Sequence, residues 1–224
     1  MNQPLQRTTD ATPDASGTPA PKTVHMAVYD TLADWEPGHT IAELTQHGYR
    51  VLTVALTDGP VTTMGGVRIL PHLTLDQLRP EDSALLLLPG AEAWDGADLD
   101  AFAKAARAFL DAGVPVAAIC GAVFGLAREG LLDERPHTGA APEALEASGY
   151  RGGAHYRDTD AVTSGDLITA GPTDPEAFAR EIFARLGVLA PEVLDAWFRL
   201  FAHSDASAYP VLAAAAEAGA AGGE

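Results

Sequence analysis

Val114-Pro115-Val116-Ala117-Ala118-Ile119-Cys120-Gly121-Ala122-Val123-Phe124-Gly125 is the stretch that decides the fold. Residues 116–119 are apolar without interruption, as expected of a strand buried on both faces of a sheet. Gly121 and Ala122 leave room for a tight turn, and residues 123–128 can then open a helix. A strand that turns sharply into a helix lifts the residue at the turn above the sheet edge. That residue then faces the free N–H groups of the helix N-terminus. Cys120 holds this place, and it is the only cysteine among 224 residues. An anion is favoured there, so the thiol pKa is expected to fall from about 8.5 toward neutrality. The arrangement is the cysteine form of a nucleophile elbow. The plainer alternative is a small buried apolar residue with no chemistry.

Working outward, strands and helices alternate. Residues 23–29 read as a first strand, and residues 37–47 as a helix with Pro37 in its first turn and Gly48 as its stop. Residues 51–56 give a second strand, and 61–63 with 67–70 a small hairpin through Met64-Gly65-Gly66. Ala84-Leu85-Leu86-Leu87-Leu88, ending in Pro89-Gly90, carries the pattern of a central parallel strand. A helix is expected over 98–112, and a second hairpin over 161–163 and 167–170. Closing helices follow over 174–186 and 191–203. The alternation predicts a three-layer α/β/α sandwich with a mainly parallel, flavodoxin-like sheet. Sites in such sheets lie at the carboxyl ends of strands, which would gather the loop after Tyr29, the Pro89-Gly90 turn and Cys120.

Composition bounds the function. Thirty-one acidic against fourteen basic residues give a formal charge of −17, which argues against binding nucleic acid or an anionic membrane. No apolar run is long enough to predict a membrane span, and the start of the chain does not read as a secretory signal. A lone cysteine cannot form an internal disulfide, so a reducing, cytoplasmic location is expected. The seven histidines are scattered without zinc-ligand spacing, so no metal and no cofactor are expected. Residues 1–22, rich in Thr, Pro, Asp, Ala and Ser, read as a disordered leader, 23–203 as the domain, and 204–224 as a tail ending in alanine and glycine.

These segments together resemble the ThiJ/PfpI family, whose fold is that of class I glutamine amidotransferases. The resemblance is carried by Asp34-Trp35-Glu36, Leu88-Pro89-Gly90-Ala91 with Trp94, Ala118-Ile119-Cys120-Gly121-Ala122, and Gly130-Leu131-Leu132 leading to His137-Thr138. Leu167-Ile168-Thr169-Ala170-Gly171-Pro172 completes it. It implies that Glu36 approaches the elbow cysteine, stays protonated beside a thiolate and shuttles protons. Otherwise Glu36 would be a solvated residue at a helix start. The resemblance further implies that His137 orients or tunes the cysteine. Main-chain N–H groups at Gly90, Ala91 and Gly121 would form an oxyanion pocket. Asp34 reads as the helix N-cap ahead of Pro37, and Trp94 as packing or a pocket wall.

Departures narrow the activity. No histidine follows the last strand at residues 169–176, so a glutaminase is not expected. Gly121, not a histidine, follows the cysteine, against the family's protease branch. Glu36 stands where isocyanide-hydrating relatives carry an aspartate, which favours the glyoxalase, deglycase and stress-response side. The expected function is therefore a cysteine-dependent, cofactor-free enzyme acting on small reactive carbonyls as its small-molecule substrate. The alternatives are an oxidation-sensing or chaperone-like protein using Cys120, and an inactive scaffold. The resemblance also implies a homodimer. The apolar segment Val193-Leu194-Asp195-Ala196-Trp197-Phe198-Arg199-Leu200-Phe201 is either packed on the domain or part of a subunit interface.

Overall fold

The computed structural model describes residues 22–221, so all of the expected leader except Lys22 lies outside the described residues. The chain runs β1 (Thr23–Ala27), α1 (Gly38–Gln46), β2 (Arg50–Ala55), β3 (Val61–Thr62), β4 (Arg68–Ile69), β5 (Leu73–Thr74), β6 (Leu85–Leu88) and α2 (Asp100–Asp111). It continues with β7 (Val116–Ile119), α3 (Gly121–Arg128), α4 (Pro142–Glu146), β8 (Ala161–Ser164), β9 (Leu167–Ala170), α5 (Pro175–Leu186), α6 (Pro191–His203) and α7 (Tyr209–Ala221).

Seven strands form one sheet in the order β5-β2-β1-β6-β7-β9-β8. All neighbours are parallel except β8 and β9, which form the expected hairpin. β6 and β7 lie at its centre, and every residue of both is fully buried. Their unbroken apolar sequences follow from this, since helices cover both faces. α2 packs with α3, while α1, α5 and α6 pack against one another as the second helical layer. β3 and β4 form a separate two-stranded arm.

The apolar segment at 193–201 packs within the chain only in part, for Phe201 is exposed. Leu194, Ala196 and Trp197 of α6 are buried, Trp197 meets Phe183 of α5 edge-on, and its indole N–H donates to Glu43 of α1 at 2.9 Å. The expected tail is more ordered than its composition suggests, for α7 begins at Tyr209 and packs on α6. The edge strand β5 is absent from the sequence reading because two residues display no periodicity.

Candidate active site

Cys120 lies just beyond the end of β7 and caps α3. The strained residue of the turn is Cys120 itself, at φ 58° and ψ −124°, and not Gly121 or Ala122, which already belong to the helix. A non-glycine residue at positive φ is costly and is held only where its surroundings impose it. Here the Cys120 N–H donates to the Ala170 carbonyl at 3.1 Å, tying the turn to the end of β9. The carbonyl of Cys120 accepts from Val123 N–H at 3.0 Å, which starts α3.

The loop after β6 supplies the opposite wall. Tyr29 and Trp94 are both buried and brace it: Tyr29 OH donates to the Pro89 carbonyl. The Trp94 indole N–H donates to Tyr29 OH at 3.0 Å and to Pro89 O at 3.1 Å. Trp94 is therefore packing and support. Glycine is required next, because a Cβ on Gly90 would stand 2.8 Å from Cys120 Cβ and 2.8 and 2.9 Å from the two Glu36 oxygens. Gly121 is equally confined, since its Cβ would lie 2.9 Å from the Ala91 carbonyl oxygen.

Glu36 is fully buried. Its Oε2 accepts from Gly90 N–H at 2.5 Å, while Oε1 is buried with no hydrogen-bond partner among the described residues. The structure thus brings Glu36, Gly90 and Cys120 together although 84 residues separate the outer two in sequence. The Gly90 N–H, expected as an oxyanion donor, is committed to Glu36. Among the described residues, Ala91 N–H has no hydrogen-bond acceptor, and Gly121 N–H faces the Cys120 sulfur.

The electrostatics correct the expected acidity of Cys120. Burial pushes its thiol up to about 12, and the Glu36 carboxylate adds to the rise, while Gly121 N–H pulls the other way and does not offset them. Burial also raises Glu36 to about 7, against the opposing hydrogen bonds from Gly90 and Cys120. The two adjoining acids therefore lose protons in sequence. Between the two values one negative charge and one proton are shared by carboxyl and thiol.

Two expected residues have other duties. His137 is buried, but its Nδ1 faces the Arg135 carbonyl at 2.8 Å, so Nδ1 carries the proton and Nε2 accepts from Tyr150 OH at 3.2 Å. The ring sits edge-on to Tyr150 and Tyr156, and burial lowers its pKa, which fits a neutral structural imidazole. Neither nitrogen is bonded to Cys120. Asp34 does not cap α1. Its Oδ1 accepts from Thr63 Oγ at 2.5 Å and its Oδ2 from Gly65 N–H at 2.6 Å, pinning the β3–β4 arm to the loop that carries Glu36. The Tyr29–Trp94 brace has no signal in the sequence, for its partners lie 60 and 65 residues apart. No described group of three or more His, Cys, Asp or Glu side chains could hold a metal ion, and no described helix is long and apolar enough to cross a membrane.

The profile of the DJ-1/PfpI family matches residues 22–185. An "uncharacterized protease YoaZ" of Bacillus subtilis is 36% identical over 188 residues, covering 79% of this chain and 89% of that protein. A "deglycase PH1704" of Pyrococcus horikoshii is 29% identical over 140 residues, covering 62% and 83%. The crystal structure of a ThiJ/PfpI family protein from Bacillus anthracis superposes with a TM-score of 0.80 at 33% identity, covering 84% of this chain and 93% of that one. The matched region spans β1 to α5 and includes both Glu36 and Cys120, so the chain belongs to the DJ-1/PfpI family.

Proposed function

We propose that this chain is a cofactor-free enzyme that uses Cys120 and Glu36 to transform small reactive carbonyls, with α-ketoaldehydes such as methylglyoxal as the model substrate. The observation that supports this reading is the buried Glu36 carboxyl group held beside the Cys120 thiol by the Gly90 N–H. Relatives named as deglycases point in the same direction. A thiol held at about 12 is a poor nucleophile alone. It gains nucleophilicity if a base removes its proton as it attacks.

Glu36, ionised above about pH 7, is that base. Sulfur adds to the aldehyde carbon while the thiol proton passes to Glu36, and the new alkoxide takes that proton back to give a hemithioacetal. The N–H groups of Ala91 and Gly121 hold the oxygen while it is charged. Glu36 then moves the proton from the former aldehyde carbon to the neighbouring carbon, while the hydroxyl proton on the former aldehyde carbon passes to the ketone oxygen. The product is a lactate thioester: one carbon is oxidised, its neighbour is reduced, and no external oxidant or reductant enters. Water cleaves the carbon–sulfur bond, releasing lactate and restoring the thiol. The test follows methylglyoxal loss and lactate formation without glutathione. Cys120→Ser is expected to lose at least about a hundredfold in rate. Turnover equal to that of the native chain would contradict the proposal.

A further inference from the structure

Glu36 is held from one side by the loop after β6. Its N–H donates to Ala33 O at 3.2 Å, Ala33 N–H donates to Gly90 O at 2.9 Å, and Gly90 N–H returns to the Glu36 carboxyl group at 2.5 Å. These bonds close a ring between the turn of residues 33–36 and Gly90, with Leu32 bridged to Ala91 beside it. Glu36 Oε1 is buried in this ring's company without a hydrogen-bond partner. A carboxyl group in such a place resists ionisation only while water is kept away from it.

The β3–β4 arm holds the same loop from the other side. Asp30 Oδ1 accepts from Thr62 N–H at 2.7 Å, Thr31 N–H donates to Thr62 O at 2.9 Å, and Met64 N–H donates to Leu32 O at 2.9 Å. Together they hold a backbone that the loop does not favour, for the β-branched Thr31 sits at φ 63°. Asp34 adds the bonds from Thr63 Oγ and Gly65 N–H. Of these contacts with the arm, only those of Asp34 fall between Ala33 and Glu36, on the turn that carries the carboxyl group. The approach is close: a Cβ on Gly65 would stand 2.9 Å from Asp34 Oδ2. The Thr63 hydroxyl above all, and Gly65 N–H after it, hold the Asp34 carboxyl below its ordinary value against the effect of burial. Asp34 therefore stays ionised, and both bonds are charge-assisted.

We propose that Asp34 is a positioning residue for Glu36: by clamping the turn of residues 33–36 to the β3–β4 arm, it keeps the Glu36 carboxyl group dry, against Gly90 and beside Cys120. The inference rests on Cys120 and Glu36 being the reacting pair, and adds the contact that places one of them. Its test follows iodoacetamide alkylation of Cys120 against pH, which needs no turnover. In Asp34→Ala the freed turn admits water to Glu36, which then ionises nearer its ordinary value. The inflection at about pH 7 should therefore move down by at least about one unit. Loss of the Asp34 charge would by itself act in the same direction. Thr63→Val keeps that charge and removes the hydroxyl, and should move the inflection the same way by a smaller amount. Thr63→Ser, which restores the hydroxyl, should return the native profile.

Turnover supplies a second readout. In Asp34→Ala, kcat for methylglyoxal should fall at least about tenfold with KM within about twofold of native, as expected when a proton-transfer group is misplaced. A native inflection in Thr63→Val overturns the inference whatever Asp34→Ala does, because charge alone then explains any shift in the latter. The Thr63 pair also decides the matter if Asp34→Ala does not fold, as judged by urea denaturation. A native protein without an inflection near pH 7 overturns it too, since a Glu36 that is not kept dry needs no clamp. Inflections that move as expected in a protein that does not consume methylglyoxal would instead refute the carbonyl chemistry and leave the positioning role standing.

Discussion

Replacing Glu36 by glutamine should make the stability of this protein less dependent on pH, in a direction fixed by the burial of Glu36. The carboxyl group titrates at about 7 in the fold against 4.5 in an unfolded chain. A group whose folded pKa is raised stabilises the fold fully below its unfolded pKa, and that contribution is lost as pH rises through the folded value. At about 1.4 kcal/mol per pH unit, the rise from 4.5 to about 7 corresponds to about 3 kcal/mol in all, most of which is lost between pH 5 and pH 8. Glutamine keeps an oxygen for the Gly90 N–H and never ionises. Native and Glu36→Gln proteins are to be unfolded in urea at both pH values. The variant should gain about 2–3 kcal/mol relative to native on going from pH 5 to pH 8, or about 5–10 °C in Tm. Other carboxylates contribute equally to both proteins and drop out of the comparison. A difference between the two proteins that does not change with pH would refute the reasoning, and a change of opposite sign would mean that Glu36 is stabilised as an anion.

Further outcomes follow from the same geometry. Iodoacetamide alkylation of Cys120, readable without interference because no other cysteine is present, should accelerate through about pH 7 in the native protein as the pair takes up its shared charge. Glu36→Gln should abolish that inflection, and an unaltered pH profile would count against proton sharing. Gly90→Ala forces a Cβ to 2.8 Å from both Cys120 Cβ and Glu36 Oε2, and should cost about 1–3 kcal/mol of stability by urea denaturation together with most of the alkylation inflection. Tyr29→Phe leaves the Pro89 carbonyl and the Trp94 indole N–H short of one partner in a buried place, and should cost about 1–2 kcal/mol by the same assay.

How far the sequence could be read depended on how locally each feature is encoded. Leu85–Leu88 and Val116–Ile119 announce themselves because a strand covered on both faces needs apolar side chains at every position. The elbow at Cys120 is equally local, although the strain falls on the cysteine and not on the glycine after it. The pairing of Glu36 with Cys120 is invisible to pattern and periodicity. It is an implication of family resemblance, and only the fold brings the loop ahead of α1, the β6 loop and the elbow to one point. Asp34 misleads for a related reason: beside Pro37 it has the chemistry of a helix cap, but Thr63 and Gly65, about thirty residues away, claim both its oxygens. The acidity of Cys120 departs from the sequence expectation because a helix N-terminus can be read from sequence, whereas burial and a neighbouring carboxylate cannot.

The most direct test of the central claim is the pH profile of kcat/KM for converting methylglyoxal to lactate, measured without glutathione beside Cys120→Ser. Action of Cys120 and Glu36 as one proton-sharing pair predicts a native rate that climbs through about pH 7 to a plateau, with at least about a hundredfold less activity in the variant at every pH. A native rate that is flat across that range, or one that survives the loss of the thiol, would contradict it.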